Sequence, residues 1–373
     1  AAINAGGSTI HSLFHFPPRA LAPDDEAIKI DNRRQKMFKT METLVIDEIS
    51  MVSADIMDAM DEFLRLNRGK DEPFGGVQVV MFGDPFQLPP VIKGKQLRDY
   101  FQNTYGGPYF FNARSFEEGR FSCLELSRVF RQKDEVFLRL LNAAREMTFT
   151  ARDLRILNSR QRPEQAGDLS VSLCSTNALA QEINERELAR LPGKAFEYEA
   201  IITGAFKPGD APTDPLLVLK EGAQVMMVKN DPDKRWINGT LGVIRKLDDN
   251  GVTAAIDGMD YDIPRETWEI VDYEYDRDKN KISPKVAGRF TQYPLKLAWA
   301  ITIHKSQGQT FDRVRVNLGS GAFAHGQTYV ALSRCRTLEG LTLEKPVRAS
   351  DIRIDPLVLE FASRVKSVIP KRG

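Results

Sequence analysis

Apolar and polar positions along this chain follow two different rules. In the first half, short and mostly apolar runs lead into a polar turn, and the turn into a stretch with apolar residues three or four apart. That is the pattern of buried parallel strands joined by amphipathic helices. It predicts strands at residues 44–46, 77–82, 122–126 and 171–174. It predicts a helix capped by Ser53 with Ile56, Met60, Phe63 and Leu64 on one face, and a second from Asp134 with Phe137, Leu140 and Leu141 inward. A third helix runs from an N-capping Asn177 to Leu191. From Glu197 the segments shorten and are separated by Gly, Pro, Asp and Asn. Residues 224–228 are rich in β formers, and Asn238 with Gly239 predicts a two-residue hairpin turn between Trp236-Ile237 and residues 241–244. Short strands to about Glu274 predict a small β-barrel, with residues 275–285 as a loop or hairpin tip. Residues 295–303 then resume a buried strand, 313–318 form another, and 327–334 form a helix with Tyr329, Val330 and Leu332 inward. The expected fold class is α/β. A first parallel-sheet domain covers 1–130, a second covers 131–220 and 291–373, and the barrel at 221–290 is inserted in the second.

A length of 373 residues agrees with two or three domains. Hydrophobic content of 42% and charged content of 28% describe an ordinary globular protein. The most apolar segments, such as 295–303, fall far short of the roughly 20 residues that span a bilayer, so no membrane partner is expected. Cys123, Cys174 and Cys335 are odd in number and far apart, which disfavours a disulfide framework or a zinc site and predicts a reducing, cytoplasmic setting. The net charge of +1 names no partner, so any nucleic-acid binding has to come from a local groove.

Candidate chemistry sits at the strand ends. In Leu-Val-Ile-Asp-Glu-Ile-Ser-Met, residues 44–51, an apolar strand runs into Asp47 and Glu48. Two adjacent carboxylates at a strand end suit a metal-bound phosphate chain, one holding Mg²⁺ and the other handling a water. They equally suit solvated acids at a helix start, and this stretch alone leaves both readings open. The strand at 77–82 ends in Gly-Asp-Pro-Phe-Gln-Leu-Pro-Pro, where Gln87 could sense a phosphate or an attacking water on a loop stiffened by prolines. Gly6 to Thr9 make a turn whose amides and hydroxyls could hold a phosphate, or simply cap the helix that carries His11 and Phe14.

Six stations in this order resemble the motifs of superfamily 1 helicases, specifically the Pif-type DNA helicases. AAINAGGSTIHSLF resembles motif Ia, LVIDEISM motif II, GDPFQLPPV motif III, VFRQ motif IV, AITIHKSQGQTF motif V and QTYVALSRCR motif VI. DAMDEFLRLNRGKDEPFGGVQ, residues 58–78, resembles the Pif signature, and disfavours a RecD-like or relaxase-associated helicase. The resemblance implies two RecA-like domains with an Src-homology-3-like barrel in the second. It implies ATP and Mg²⁺ as cofactors, single-stranded and forked duplex DNA as partners, a monomer, and 5′-to-3′ unwinding in DNA repair, recombination or replication. Carried over by position, Asp47 holds Mg²⁺ together with a phosphate-loop hydroxyl, Glu48 activates water, and Gln87 senses the γ-phosphate. Arg131 and Arg334 are arginine fingers, and Gly308 lines the nucleotide. Thr9, His11, Asn177, His304, Lys305 and Ser306 are implied to bind DNA.

One motif of that family is absent from these residues. No G-x-x-x-x-G-K-[ST] loop occurs, and Gly94-Lys95 is followed by Gln96. The family places this loop upstream of motif Ia. The chain therefore reads as a fragment, expected by itself to bind nucleotide poorly and not to hydrolyse it. The alternative from another class is an ATPase-dead single-stranded-DNA-binding protein.

Overall fold

The computed structural model describes residues 7–126, 128–162, 169–206, 211–249, 251–276 and 281–368. The first α/β unit opens with α1 (Ile10–Phe14), capped by the Thr9 hydroxyl, and α2 (Gln35–Thr40). β1 (Thr43–Ile46) and β2 (Gln78–Met81) pair in parallel with Leu44 opposite Val79. The crossover between them is α3 (Ala54–Arg68), whose Ile56, Met60, Phe63 and Leu64 are buried as the periodicity predicts. It ends at Gly69 in the left-handed region, φ +63°. Ser53 stands at its N-cap, but its hydroxyl bonds the Asp55 carboxylate instead of a backbone amide. Phe63 anchors an aromatic core, with edge-to-face contacts to Phe38 and Phe14 at centroid distances of 4.9 and 5.3 Å.

The segment resembling the Pif signature has a clear physical role. Phe74 and Gly75 both take left-handed backbone, φ +53° and +59°. The Asp61 carboxylate accepts from the Phe74 amide, and Arg68 donates to the Gly75 carbonyl at 2.6 Å. Both side chains come from α3, so the helix clamps the turn that feeds β2. α4 (Lys95–Tyr105) and α5 (Arg114–Glu118) complete the unit.

Two expectations fail here. The apolar run at β1 predicts burial on both faces, yet Val45 is 60% exposed, and β2 is the strand β1 pairs with among the described residues. Residues 121–126 form no strand. They lack a ladder partner among the described residues, and Leu124 and Leu126 are each 80% exposed.

The second unit begins with α6 (Glu135–Glu146), capped by Asp134 accepting from the Phe137 amide at 3.1 Å, and α7 (Ala151–Asn158). β3 (Val171–Cys174) leads to α8 (Asn177–Arg190). The cap of α8 is Thr176, one residue before the expected Asn177, because the Thr176 hydroxyl accepts from the Leu179 amide.

A β-rich region follows: β4 (Phe196–Glu199), β5 (Ile201–Gly204), β6 (Leu216–Leu219), β7 (Gln224–Met227), β8 (Leu241–Asp248), β9 (Gly251–Ile256), β10 (Met259–Asp262), β11 (Glu266–Asp276), β12 (Lys281–Gln292) and β13 (Leu295–Leu297). They form an antiparallel sheet ordered β10-β9-β8-β7-β13, a sheet β11-β12-β5 and a ribbon β4-β6. One core, with Tyr198, Leu219, Val225, Ile244 and Tyr293, joins the first sheet to the ribbon. The turn at Asn238 and Gly239 exists, with Gly239 at φ +95°, but it does not close a tight hairpin. The strand before it is β7, and Trp236 between them is buried in the core. Most of residues 275–285 belongs to the arms of the β11–β12 hairpin, and its tip, 277–280, lies outside the described residues.

The apolar run at 295–303 is two strands in two sheets. β13 pairs antiparallel with β7, whereas β14 (Ala300–Thr302) pairs in parallel with β3. Gln224 bridges the break: its Nε2 donates to the carbonyls of Ala298 and Ser170, both at 2.7 Å. β15 (Val314–Asn317), α9 (Gln327–Ser333) and β16 (Leu341–Leu343) complete a parallel sheet ordered β14-β3-β15-β16. The last helix, α10 (Pro356–Val368), returns to the first unit, with Phe361 stacked on Phe111 at 4.3 Å and Val358 in the first core. The sequence pattern assigns this tail to the second domain, whereas its packing lies with the first. No helix among the described residues is long and apolar enough to cross a membrane.

Candidate active site

The ends of β1 and β2 are tied together. Phe82 donates to the Ile46 carbonyl at 2.8 Å, and Ile49 donates to the Phe82 carbonyl at 2.9 Å. Between them the chain turns sharply at Glu48, whose φ of +53° is left-handed, a conformation that costs a non-glycine residue about 1–2 kcal/mol. Asp47 stabilises the turn by accepting from the Glu48 amide at 2.9 Å. The strained turn leaves Asp47 exposed and Glu48 half-buried. Burial, and then the neighbouring Asp47 charge, raise the Glu48 carboxyl above its ordinary range, while Arg334 and Arg131 oppose the shift.

The loop after β2 is fixed in both units at once. Phe86 belongs to the first core, while Leu88, fully buried, belongs to the second. Gln87 lies between these two anchors. Its Nε2 reaches Asp84 at 3.5 Å, and its Oε1 is buried without a partner among the described residues. Asp84 also accepts from the Tyr329 hydroxyl at 3.0 Å and from the Phe86 amide at 3.1 Å. Tyr329 belongs to α9, so this bond crosses between the units. His325 makes a second crossing. Its Nδ1 accepts from the Asp355 amide at 2.9 Å, which leaves Nε2 to donate to the Pro85 carbonyl at 3.0 Å. Gly326, φ +66°, lets the chain pass hard against this loop: a Cβ there would sit 2.3 Å from the Phe86 oxygen.

α9 ends at Arg334, which is 1% exposed. Its guanidinium donates to the Val330 carbonyl at 3.2 Å, the Gln309 carbonyl at 3.4 Å and the Ser333 hydroxyl at 2.9 Å, all of them neutral. Burial, and then the charge of Arg131, lower it to about 10, so it stays charged at neutral pH. Arg131, exposed, donates to the Ser333 carbonyl at 3.4 Å, and the buried Gln132 beside it secures the segment on the carbonyls of Ser333 and Cys335, both at 2.9 Å. Gly308 lies against Glu48, with its Cβ position 4.0 Å from the Glu48 Oε1. In the chain segments that carry these groups, the Ser50 hydroxyl, the Gln309 Oε1 and both polar atoms of the Gln307 amide are buried with no hydrogen-bond partner among the described residues. Such atoms are rare in a native interior unless something is meant to fill the space.

The structure thus brings Asp47, Glu48, Gln87, Arg131, Gly308 and Arg334 to one cleft between the units. The residues expected on nucleic acid are distributed differently. Asn177 follows β3 and His304 with Lys305 follows β14, so they share the carboxyl-end rim of the parallel sheet. Asn177 and Lys305 are exposed, and His304 is half-buried, with burial lowering its imidazole. Ser306 departs from expectation: it is fully buried, and its hydroxyl donates to the Ile303 carbonyl at 2.7 Å. Thr9 and His11 are exposed on the first unit, and the Thr9 hydroxyl is engaged as the cap of α1. Sequence reasoning missed Asp84, His325, Gln307 and Gln309. Each lies within two residues of a recognised station, but nothing in the pattern says that Asp84 and His325 bond to the opposite unit or that amide atoms of Gln307 and Gln309 are buried.

The family model of the PIF1-like helicases matches residues 1–151. The ATP-dependent DNA helicase PIF1 of Xenopus laevis is 34% identical over 375 residues, covering 97% of this chain and 55% of that protein. The ATP-dependent DNA helicase Pif1 of Bdellovibrio bacteriovorus is 32% identical over 369 residues, covering 97% of this chain and 79% of that protein. The chain spans about half the length of the vertebrate relatives it matches. Among solved structures, Bacteroides sp Pif1 in complex with ADP-AlF4 superposes with a TM-score of 0.88 at 40% identity, covering 98% of this chain and 85% of that one. With two RecA-like domains closing on a carboxylate pair and a buried arginine, and with these relatives over nearly its whole length, the chain belongs to the PIF1-like helicase family.

Proposed function

We propose that the protein is an ATP-dependent DNA helicase that moves 5′ to 3′ along single-stranded DNA and unwinds duplex. The observation that carries the reading is Arg334: a charged guanidinium, almost wholly buried, with no ion pair among the described residues. An unbalanced buried charge is costly unless an anion arrives, and here it lies in the field of Glu48 beside the second cation, Arg131. A polyphosphate fits that vacancy of charge. A guanidinium suits the task because it stays protonated and presents a fork of donors to phosphate oxygens.

Asp47 is the carboxylate assigned to Mg²⁺. Its exposed side chain, with the unpartnered Ser50 hydroxyl nearby, fits an ion that takes one or two carboxylates and fills its shell with phosphate and water oxygens. Bound ATP and Mg²⁺ supply the phosphoryl group and neutralise charge. Glu48, whose carboxyl burial raises above its ordinary range, accepts the proton of the attacking water. Gln87 offers its free Oε1 to that water or to the departing phosphate. Because Phe86 and Leu88 anchor the same loop in different cores, a shift of Gln87 moves one domain against the other. Asn177, His304 and Lys305 on the second rim, with Thr9 and His11 on the first unit, hold backbone phosphates without reading sequence.

Hydrolysis is proposed for the protein in which these residues act together with a phosphate-binding loop. There, Glu48→Gln is expected to retain DNA binding and lose DNA-stimulated ATPase, measured by phosphate release. Turnover near the wild-type rate would exclude Glu48 as the base.

A further inference from the structure

The parallel sheet of the second domain carries a strand-end loop that the proposed function leaves unused. All strands of a parallel sheet end on one side, where ligands gather. Along β14-β3-β15-β16 the strand ends lead to His304 and Lys305, to Ser175 and Asn177, to the loop at 318–326, and to Lys345. The loop presents Phe323 with 60% of its surface open to water.

A single exposed aromatic is unremarkable on most surfaces. This one is held out by a bonded frame. The Ala322 amide donates to Asp351 at 3.2 Å, Arg348 donates to the Ser320 carbonyl at 2.6 Å, and the Phe323 amide donates to the Gln327 Oε1 at 3.0 Å. Gln327 is fully buried, and its Nε2 donates to the Ser175 carbonyl at 3.3 Å. The Ser175 hydroxyl in turn donates to the Leu318 carbonyl at 3.2 Å. The Phe323 loop and the turn that carries Asn177 are therefore one bonded unit. Lys345 adds a cation by donating to the Gly319 carbonyl at 3.4 Å. An aromatic fixed beside amide and ammonium donors is the combination that holds single strands, ring against base and donors against phosphate.

We propose that Phe323 is a base-stacking platform for single-stranded nucleic acid, set beside the backbone contacts of Asn177 and Lys305. This rests on the DNA-binding reading above. Every base has a π face, so the platform tolerates any sequence.

The test measures anisotropy of a fluorescein-labelled oligothymidine strand, and of the same strand with abasic sites, against this chain. Phe323→Ala is expected to weaken binding to oligothymidine about five- to 150-fold, the range for losing one stacked base. It leaves the abasic strand bound as in wild type. Phe323→Trp is expected to restore affinity and to lose emission on binding. If Phe323→Ala matches wild type on oligothymidine, or weakens both strands equally, the platform is overturned while the DNA reading stands. If the wild-type chain binds neither strand, the DNA reading fails and the platform with it.

Discussion

Gly326→Ala adds one methyl group at the point where the two domains lie closest to Gln87. Built on the backbone, its Cβ falls 2.3 Å from the Phe86 oxygen, 2.5 Å from the Gln87 oxygen and 2.9 Å from the Gln87 carbonyl carbon. Unstrained contacts begin near about 3.5 Å, so the carbonyls must retreat by about 1 Å. Neither can do so freely, because Phe86 and Leu88 are buried in separate cores. The overlap is worth about 1–3 kcal/mol as overpacking, and the left-handed backbone adds about 1–2 kcal/mol for an L side chain. Gly258→Ala separates the two effects, since Gly258 has φ +83° and nothing within 4 Å of its Cβ position. Hydrogen exchange read by mass spectrometry is the assay. In Gly326→Ala, peptides over 82–90 and 322–335 are expected to exchange between about 30-fold and about 4 × 10³-fold faster. In Gly258→Ala those peptides keep wild-type protection, and only the β9–β10 turn loosens. Unchanged protection of 82–90 in Gly326→Ala would refute the claim that this glycine seats the Gln87 loop.

Tyr329→Phe removes only the hydroxyl that reaches Asp84 across the domains, a bond to a charged group worth about 1.5–3 kcal/mol. In the hydrolysis-competent protein it is expected to lower kcat with nucleotide KM little changed, and an effect confined to KM would contradict a positioning role. Asp153 is held at about 2, first by its bond from the Thr150 hydroxyl and then by Arg139. Its folded value lies below the ordinary 3.8, so its stabilisation is complete above that pH and is lost as pH falls through about 2. The urea stability gap between wild type and Asp153→Asn is therefore expected to be about 2 kcal/mol near neutrality and to close in strong acid. A gap independent of pH would show that the carboxylate charge is not what matters there.

Local chemistry was legible wherever burial is continuous along the chain. The mostly apolar β3, the amphipathic α3 and α6, and the acids and amides at strand ends follow from period and composition, because each reflects one face or one turn. Asp47, Glu48, Gln87, Arg131 and Arg334 were found as separate stations, and their order carried the family resemblance. What the pattern could not carry is which surface meets which. Residues 295–303 read as one strand because the run is apolar almost throughout, although β13 and β14 lie in different sheets, and only the third dimension shows Gln224 bridging the break. Residues 122–126 have strand composition, but strand formation needs a hydrogen-bonded neighbour, and among the described residues they have none. Ser306 has the chemistry of a phosphate donor, and its hydroxyl is satisfied within its own turn. The site itself depends on long-range pairs, Asp84 with Tyr329 and Pro85 with His325, each separated by more than two hundred residues. Sequence determined the groups that do chemistry. Tertiary structure decided that a buried guanidinium with no ion pair among the described residues and a half-buried carboxylate face one cleft, because burial and charge balance depend on every neighbour in space, not only on those along the chain.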